Sequence, residues 1–478
     1  MRITKIEVCD FRSFPGPAIY DFEFGTARNL LIYGENGSGK SSLFRAVQEF
    51  FNRTTKAKPF ADFKNIDRPE LTEGHVAVHF DSGDTQHWQF GGARPLTAPP
   101  ASQTALQIGC LDYRSLLETN FSQKGDTVNL FDIAVNHLVD RMDVPVEGGG
   151  SARIGDLWKD VLASRPWANY RKYVQKCERS VGRFNSAFEP ILTPLMDQAS
   201  TLLRRFPGCR FDLGVSFQPV EYELMGKTFA HQELILLVKQ GGVTVPNHHD
   251  FFNEAKLSAI ALVIYLAGLL RTVPPASTYP KLLVLDDVLI GLDMENRVPV
   301  LDVLAEYFAD WQVILMTHDK VWYEMIQLQL DCANWKAYEL YVGEDQSPRH
   351  HQREGGSDYY LVRARRHLAT NDLPSAANYT RAAFEWKLKT YCDKHSVPVP
   401  YKKDARAISA DAFWQAAKKH ALERANDPEP IADLGVLFAD IELWKRIVLN
   451  PLSHSATAPV TRPEVQCAID AVQKLRFK

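Results

Sequence analysis

The stretch Gly34-Glu35-Asn36-Gly37-Ser38-Gly39-Lys40-Ser41 constrains this chain more than any other, because it satisfies G-x-x-x-x-G-K-[ST] at every position. Glycines there let successive backbone N–H groups curl round a phosphate with no Cβ in the way. The Lys40 ammonium is placed to reach β- and γ-phosphates, and the Ser41 hydroxyl to ligate magnesium. A helix opening near Ser41 would turn its positive end toward the anion. Such a loop needs a buried strand before it and a helix after it. NLLIY (29–33) reads as that strand. SSLFRAVQEFF reads as that helix, with Leu43, Val47 and Phe50 or Phe51 on one face.

Two downstream segments extend the pattern. KLLVLDD (281–287) reads as a buried strand ending in two acids. Asp286 is expected to hold magnesium with Ser41, and Asp287 to orient or deprotonate an attacking water. VILMTHD (313–319) reads as another buried strand, ending at His318, and GLDMENR places Asp293 shortly after Asp287. Further strands are expected at RITKIEVCDF, AIYDFEF, HVAVHF, QHWQF, CRFDLGVSF and QELILLVKQ, with helices over about 150–206 and at KLSAIALVIYLAGLLR and NRVPVLDVLAEYFAD.

The expected fold class is an α/β P-loop NTPase with a helical insertion, followed by an all-α domain. Residues 1–145 and 207–342 form the first domain and 146–206 the insertion. The polar segment 343–357 is the expected linker, and 358–478 the helical domain.

Composition excludes several classes. With 55 basic and 58 acidic residues among 478, the chain is not a polycation, so any nucleic-acid contact must come from a local patch. Its seven cysteines are scattered and never spaced CxxC, which argues against a disulfide framework, a zinc knuckle or a zinc hook. MRITKIEVCD carries charges where a signal peptide needs an apolar run, and LSAIALVIYLAGLL is too short to span a bilayer. A cytoplasmic protein with no membrane partner is expected.

The order of motifs resembles the ABC-type ATPase head, and within it the RecF/SMC-like heads. MRITKIEVCDFRSF resembles their opening strand and turn, and YGENGSGKSSLF their P-loop. The resemblance implies ATP and Mg2+ as cofactors, and a homodimer or higher even-numbered oligomer in which two heads sandwich two ATPs. It implies ATP contacts from Gly34, Asn36, Gly37, Ser38, Gly39, Lys40, Ser41, Ser42 and Arg12, with Lys40, Asp287 and His318 as catalytic residues. His318 would sense the γ-phosphate, and Asp293 would be the D-loop residue at the dimer interface.

The partner's signature motif would be Asn253, Glu254, Ala255 and Lys256 in FFNEAKLSAIAL. Asn253 stands where the family has Ser, and Glu254 and Ala255 where it has glycines. A Q-loop glutamine is not evident: Arg114 occupies the expected strand end and Gln123 lies further on. Asp287 stands where transporter-type relatives carry Glu, which predicts slow hydrolysis and a long-lived ATP dimer. The absence of sustained heptads excludes a long-armed SMC and leaves 146–206 as a stub arm or lobe. In that insertion Arg165, Arg171, Lys172, Lys176, Arg179 and Arg183 alternate with Trp167, Tyr170 and Tyr173. They make either a nucleic-acid contact or a solvated helix face.

In the C-terminal helices, Arg381 and Glu385 share a helix face, and His454 follows Pro451 in LNPLSHSA. Together they would cleave RNA, with His as general acid or base and Arg stabilising the phosphorane. The set resembles HEPN-type RNases and ATPase-linked anticodon nucleases, whose R-N-x-x-x-H motif is matched from Asn450 to His454. Leu449 stands in place of the motif's Arg, with Arg446 a turn earlier and Arg381 available in space. The alternative is a partner-binding bundle in which Arg381–Glu385 is a helix salt bridge.

The leading expectation is therefore an ATPase whose head dimerisation controls a C-terminal or partner RNase, with RNA (tRNA) or DNA and a protein encoded alongside as partners. The resemblance alone places it in antiphage defence. The alternative is a RecF-type DNA-repair ATPase without nuclease. A transporter-type subunit is disfavoured by the N-terminal and signature patterns.

Overall fold

A parallel strand covered on both faces carries apolar side chains at consecutive positions rather than alternate ones. Asn29–Gly34, Gln312–Thr317 and Leu282–Asp286 have this character, and in the computed structural model they adjoin in that order within a six-stranded sheet. Trp335–Val342 and then Pro348–Arg353 lie beyond Asn29–Gly34, and Ile108–Asp112 lies beyond Leu282–Asp286. Every pairing from Trp335–Val342 across to Ile108–Asp112 is parallel.

The structure describes residues 1–26, 28–52, 58–67, 70, 72–116, 123–124, 127–146, 149–167, 170–274, 276–329, 334–345, 347–353, 357–400, 409–423, 434–449 and 460–475. They fall into two units, Met1–Gln352 and Arg353–Lys478.

The pleat sorts the central side chains into two cores. Leu30, Ile32, Leu282, Val284, Ile314 and Met316 enter one, and Leu31, Leu283, Leu285, Val313 and Leu315 the other. The first core is closed by helix Lys40–Phe50 and by an antiparallel sheet in the order Tyr20–Glu23, Ile3–Cys9, His75–Phe80, Thr85–Gln89. The second is closed by helices Ile154–Ala163, Arg171–Leu203, Glu254–Thr272 and Met294–Tyr307.

Glu254–Thr272 is the one helix among the described residues long and apolar enough to cross a membrane. Its residues from Ser258 to Ile264 are all buried in the second core, as expected of a helix apolar all round.

One open alternative is decided, one expectation needs correction and one strand was not anticipated. Of the stub arm and the lobe, the helices of 146–206 form the lobe. Phe184, Phe188, Leu192, Leu195, Ala199 and Leu203 are fully or nearly fully buried in the core that also holds Ala259 and Leu262. The 343–357 segment is not simply a linker, because Pro348–Arg353 is a strand at the sheet edge. Its polar side chains hid it: an edge strand is held by backbone pairing and needs no apolar alternation. His350 of this strand lies among the rings of Tyr20, Phe22 and Tyr338, and burial there holds its pKa below the usual value. Trp335–Val342, beside the P-loop strand, went unread because only Tyr338 and Leu340 are fully buried in it.

In the second unit every described element from Ser357 onward is helical: Ser357–Ala369, Leu373–Lys394, Ala410–Glu423, Leu434–Trp444 with its continuation Lys445–Leu449, and Arg462–Lys474. Asn371 takes a left-handed conformation and the Asp372 side chain accepts from Ser375 N, ending one helix and opening the next. Phe384, Leu388, Trp414, Ile441 and Ile469 form the shared core.

Candidate nucleotide-binding site

The loop after Asn29–Gly34 is shaped by close approaches. A Cβ on Gly34 would stand 2.3 Å from Ser38 Oγ and 2.9 Å from Lys40 Cγ. Gly39 has φ +102°, and a Cβ there would press on Pro348, Ser13 and Phe14. Helix Lys40–Phe50 then opens with no side-chain cap and no acid in its first turn, so its N–H groups and positive end are available to an anion. Ser38 is fully buried with no hydrogen bond to its hydroxyl among the described residues, whereas Asn36 and Ser41 face outward.

Lys40 is only 4% exposed, and its ammonium donates to Gly34 O (2.6 Å) and Glu35 O (3.3 Å). It also stands 3.7 Å from Asp287 Oδ2. The other Asp287 oxygen accepts from His318 N (2.9 Å) and lies 3.0 Å from His318 Nδ1. Asp287 holds this position with φ +54°, a conformation that aspartate tolerates better than most residues. One carboxylate therefore joins the phosphate loop to the histidine at the neighbouring strand's end.

Asp286 closes the adjacent strand and is 4% exposed. Burial pushes its pKa up to about 6, with Asp287 and Asp112 adding to the rise and Ser41 and Lys40 opposing it. Its Oδ1 has no hydrogen-bond partner among the described residues. A buried, under-satisfied carboxylate hydrogen-bonded to an outward-facing serine is a donor set suited to a hard divalent cation. Ser41 and Asp286 thus fit magnesium.

Arg45 and Arg297 were not read from the sequence as site residues, whereas Arg12 was. Arg12, whose own φ is +51°, has its pKa lowered by burial and then by the charges of Arg45 and Arg114, so three guanidinium groups share one region. Arg45 was hidden because it follows the loop as an ordinary helix residue. Arg114 stands at the expected Q-loop strand end, and the Gln123 side chain lies outside the described residues. Arg297 donates to Leu292 O (2.8 Å) and to Asp319 Oδ2 (2.6 Å), tying the turn before Asp293 to the residue after His318.

The remaining candidates form a separate place. Asn253 caps helix Glu254–Thr272, its side chain accepting from Lys256 N at 3.1 Å. Asp293 caps Met294–Tyr307, accepting from Asn296 N at 3.0 Å. The two caps are neighbours, since a Cβ on Gly291 would stand 2.5 Å from Ser258 Oγ. Glu254 is exposed, Ala255 is buried, and the Lys256 ammonium lies over the Phe211 and Phe252 rings. Among the described residues no hydrogen bond or ion pair joins Asn253–Lys256 to the phosphate loop.

In the second unit Arg381 Nε donates to Glu385 (2.9 Å), and Arg381 Nη1 to Leu449 O (3.3 Å). His454 lies outside the described residues.

A family model described as an AAA domain matches residues 5–85, which include the phosphate loop. In the first unit the phosphate loop joins a strand of the parallel sheet to a helix. Among solved structures, the chain is similar to the Smc head domain with an extended coiled coil bound to the C-terminal domain of ScpA from Pyrococcus furiosus, at 14% identity and TM-score 0.40 over 73% of this chain and 96% of that one. It is also similar to the SMC head domain from Thermotoga maritima, at 13% and 0.34 over 74% and 100%. A third is the recombination mediator protein RecF with ATP, at 13% and 0.43 over 73% and 98%. No curated protein matches the sequence.

Proposed function

We propose that the first unit is an ABC-type head that binds and hydrolyses ATP, and that ATP brings two copies together. The observation carrying this reading is the Asp287 carboxylate, held between Lys40 and His318 and next in sequence to the Ser41–Asp286 pair. The loop amides and Lys40 hold the β- and γ-phosphates, with Arg12 supported by Arg45 and Arg114 as further cationic contacts. Ser41 and Asp286 would hold magnesium, which would supply neutralisation of phosphate charge. Lys40 cannot serve Asp287 and a phosphate equally well. An arriving anion therefore draws it off and leaves Asp287 Oδ2 able to accept a proton from water, while His318 keeps the carboxylate in place.

The Asn253–Lys256 turn and Asp293 lie together, without a bond to the loop of their own chain. This supports their use against the loop of a second copy. The test is ATP hydrolysis and light scattering with and without magnesium, comparing wild type with Lys40→Ala and Asp287→Asn. ATP-dependent dimers that Asp287→Asn prolongs and Lys40→Ala prevents are expected. Turnover that is unchanged on dilution to a monomer would sink the dimeric reading.

A second reading concerns the helical unit. Arg381 reaches the backbone of Leu449, the position where an R-N-x-x-x-H motif carries its arginine, and it brings Glu385 with it. This favours an RNase centre made of Arg381, Glu385 and His454, controlled by the head. Sequencing of RNA from cells expressing wild type and His454→Ala tests it. Identical RNA profiles would leave a RecF-like ATPase with a partner-binding bundle.

A further inference from the structure

The basic and aromatic residues of the helical lobe take no part in the nucleotide site. Lys172, Lys176, Arg179 and Arg183 are all exposed on helix Arg171–Leu203. At 3.6 residues per turn they fall within an arc of about 60°, forming a stripe roughly 16 Å long. The face opposite carries Cys177, Val181, Phe184 and Phe188, which are buried. Glu178 and Glu189 lie about 80–100° from the nearest stripe residue by the same geometry, and Asp197 lies about 21 Å beyond Arg183, so no acid of this helix falls within the stripe.

At the head of the stripe stand three rings. Trp167 lies 5.2 Å from Tyr173 and 6.3 Å from Tyr170 between ring centroids, and Tyr170 lies 6.2 Å from Tyr173. Trp167 is 74% exposed and Tyr170 65% exposed. Arg165 anchors the segment that carries them by donating, at 2.9 Å, to Lys227 O in the turn between the paired strands Glu221–Glu223 and Thr228–Ala230. A solvated helix face accounts for the lysines and arginines but not for a Trp and a Tyr standing in water, where each ring leaves a large apolar area unburied.

We propose that this stripe and ring cluster bind single-stranded nucleic acid. The four cations track the phosphates, and Trp167 and Tyr170 stack on unpaired bases at the stripe's end. Duplex is the poorer ligand, because its bases are already stacked and only the cations can engage it. The site is independent of the ATPase reading, since none of its residues touches the phosphate loop.

The test is fluorescence anisotropy of the full chain with labelled oligo-dT and oligo-rU of about 20 nucleotides, longer than the roughly 4–16 nucleotides of a single-strand site, and with a blunt duplex of equal length. Wild type is expected to prefer a single strand. Lys172→Glu with Lys176→Glu should weaken binding at least about 10-fold and reduce the salt slope by about 1.4, at about 0.7 per lost phosphate contact. Trp167→Ala should weaken it roughly 5- to 150-fold, from the 1–3 kcal/mol of one stacked base, while Trp167→Phe retains most of it. Losses in the DNA arm, the RNA arm or both support the site and show which strand it takes. Equal affinity for duplex and single strand, or wild-type binding by both the charge-reversed and the Trp167→Ala proteins, overturns it.

Discussion

Two places in the first unit carry polar side chains at the ends of regular elements, and they use them differently. Around the phosphate loop, Lys40, Asp286, Asp287 and His318 turn toward one another, and two of the carboxylate and ammonium groups are almost wholly buried. Around the second place, Asn253 and Asp293 bond to the amides of their own helices and stay at the surface. The first arrangement puts buried charges where a ligand can complete them. The second leaves its capped polar side chains exposed at the surface. That contrast supports reading them as the two halves of a composite site.

Asp287→Asn strikes the first place hardest. Loss of a proton acceptor predicts a fall in turnover of roughly 10²- to 10⁴-fold with ATP binding retained. A variant hydrolysing at the wild-type rate would remove Asp287 from the chemistry. Lys40→Ala should next weaken ATP binding by about 100-fold or more, because a charge-assisted contact to phosphate goes with it; titration with a fluorescent ATP analogue reads this.

Arg297→Ala probes whether the two places are coupled. It removes the bond to Asp319 and the bond to Leu292 O, each to or from a charged group and each in the range of 1.5–3 kcal/mol. Turnover is expected to fall about 10-fold with little change in KM. A drop in melting temperature without any change in kcat would make the residue merely structural. The smallest effect belongs to the surface side. Asn253→Ala should cost about 1 kcal/mol of stability through the lost cap, which Asn253→Ser restores. If the Ala variant also shifts the protein concentration needed for ATPase activity, the turn serves a second copy. If it changes stability alone, the composite reading loses its support.

Much of this was legible beforehand, for identifiable reasons. The phosphate loop could be read because its constraints are local: Gly34 must lack a Cβ next to Ser38, and Gly39 must reach a positive φ. The central strands could be read because burial on both faces leaves an uninterrupted apolar run in Leu282–Leu285 and Val313–Met316. Pro348–Arg353 could not be read, because edge pairing makes no demand on side chains. The arm-or-lobe question stayed open because the residues that bury Phe184 and Phe188 come from distant parts of the chain.

By itself, then, the sequence determined a phosphate cradle, the two acids after a buried strand and the helical character of the C-terminal region, since each depends on neighbours a few positions away. Only the tertiary structure decided that Asp287 meets both Lys40 and His318, that Arg297 ties Asp319 to the turn before Asp293, and that Trp167 and Tyr170 stand uncovered at the end of a basic stripe. Parallel strand pairing sets which strand ends adjoin, and packing sets which side chains are covered. Both are long-range, so no local stretch of residues specifies them.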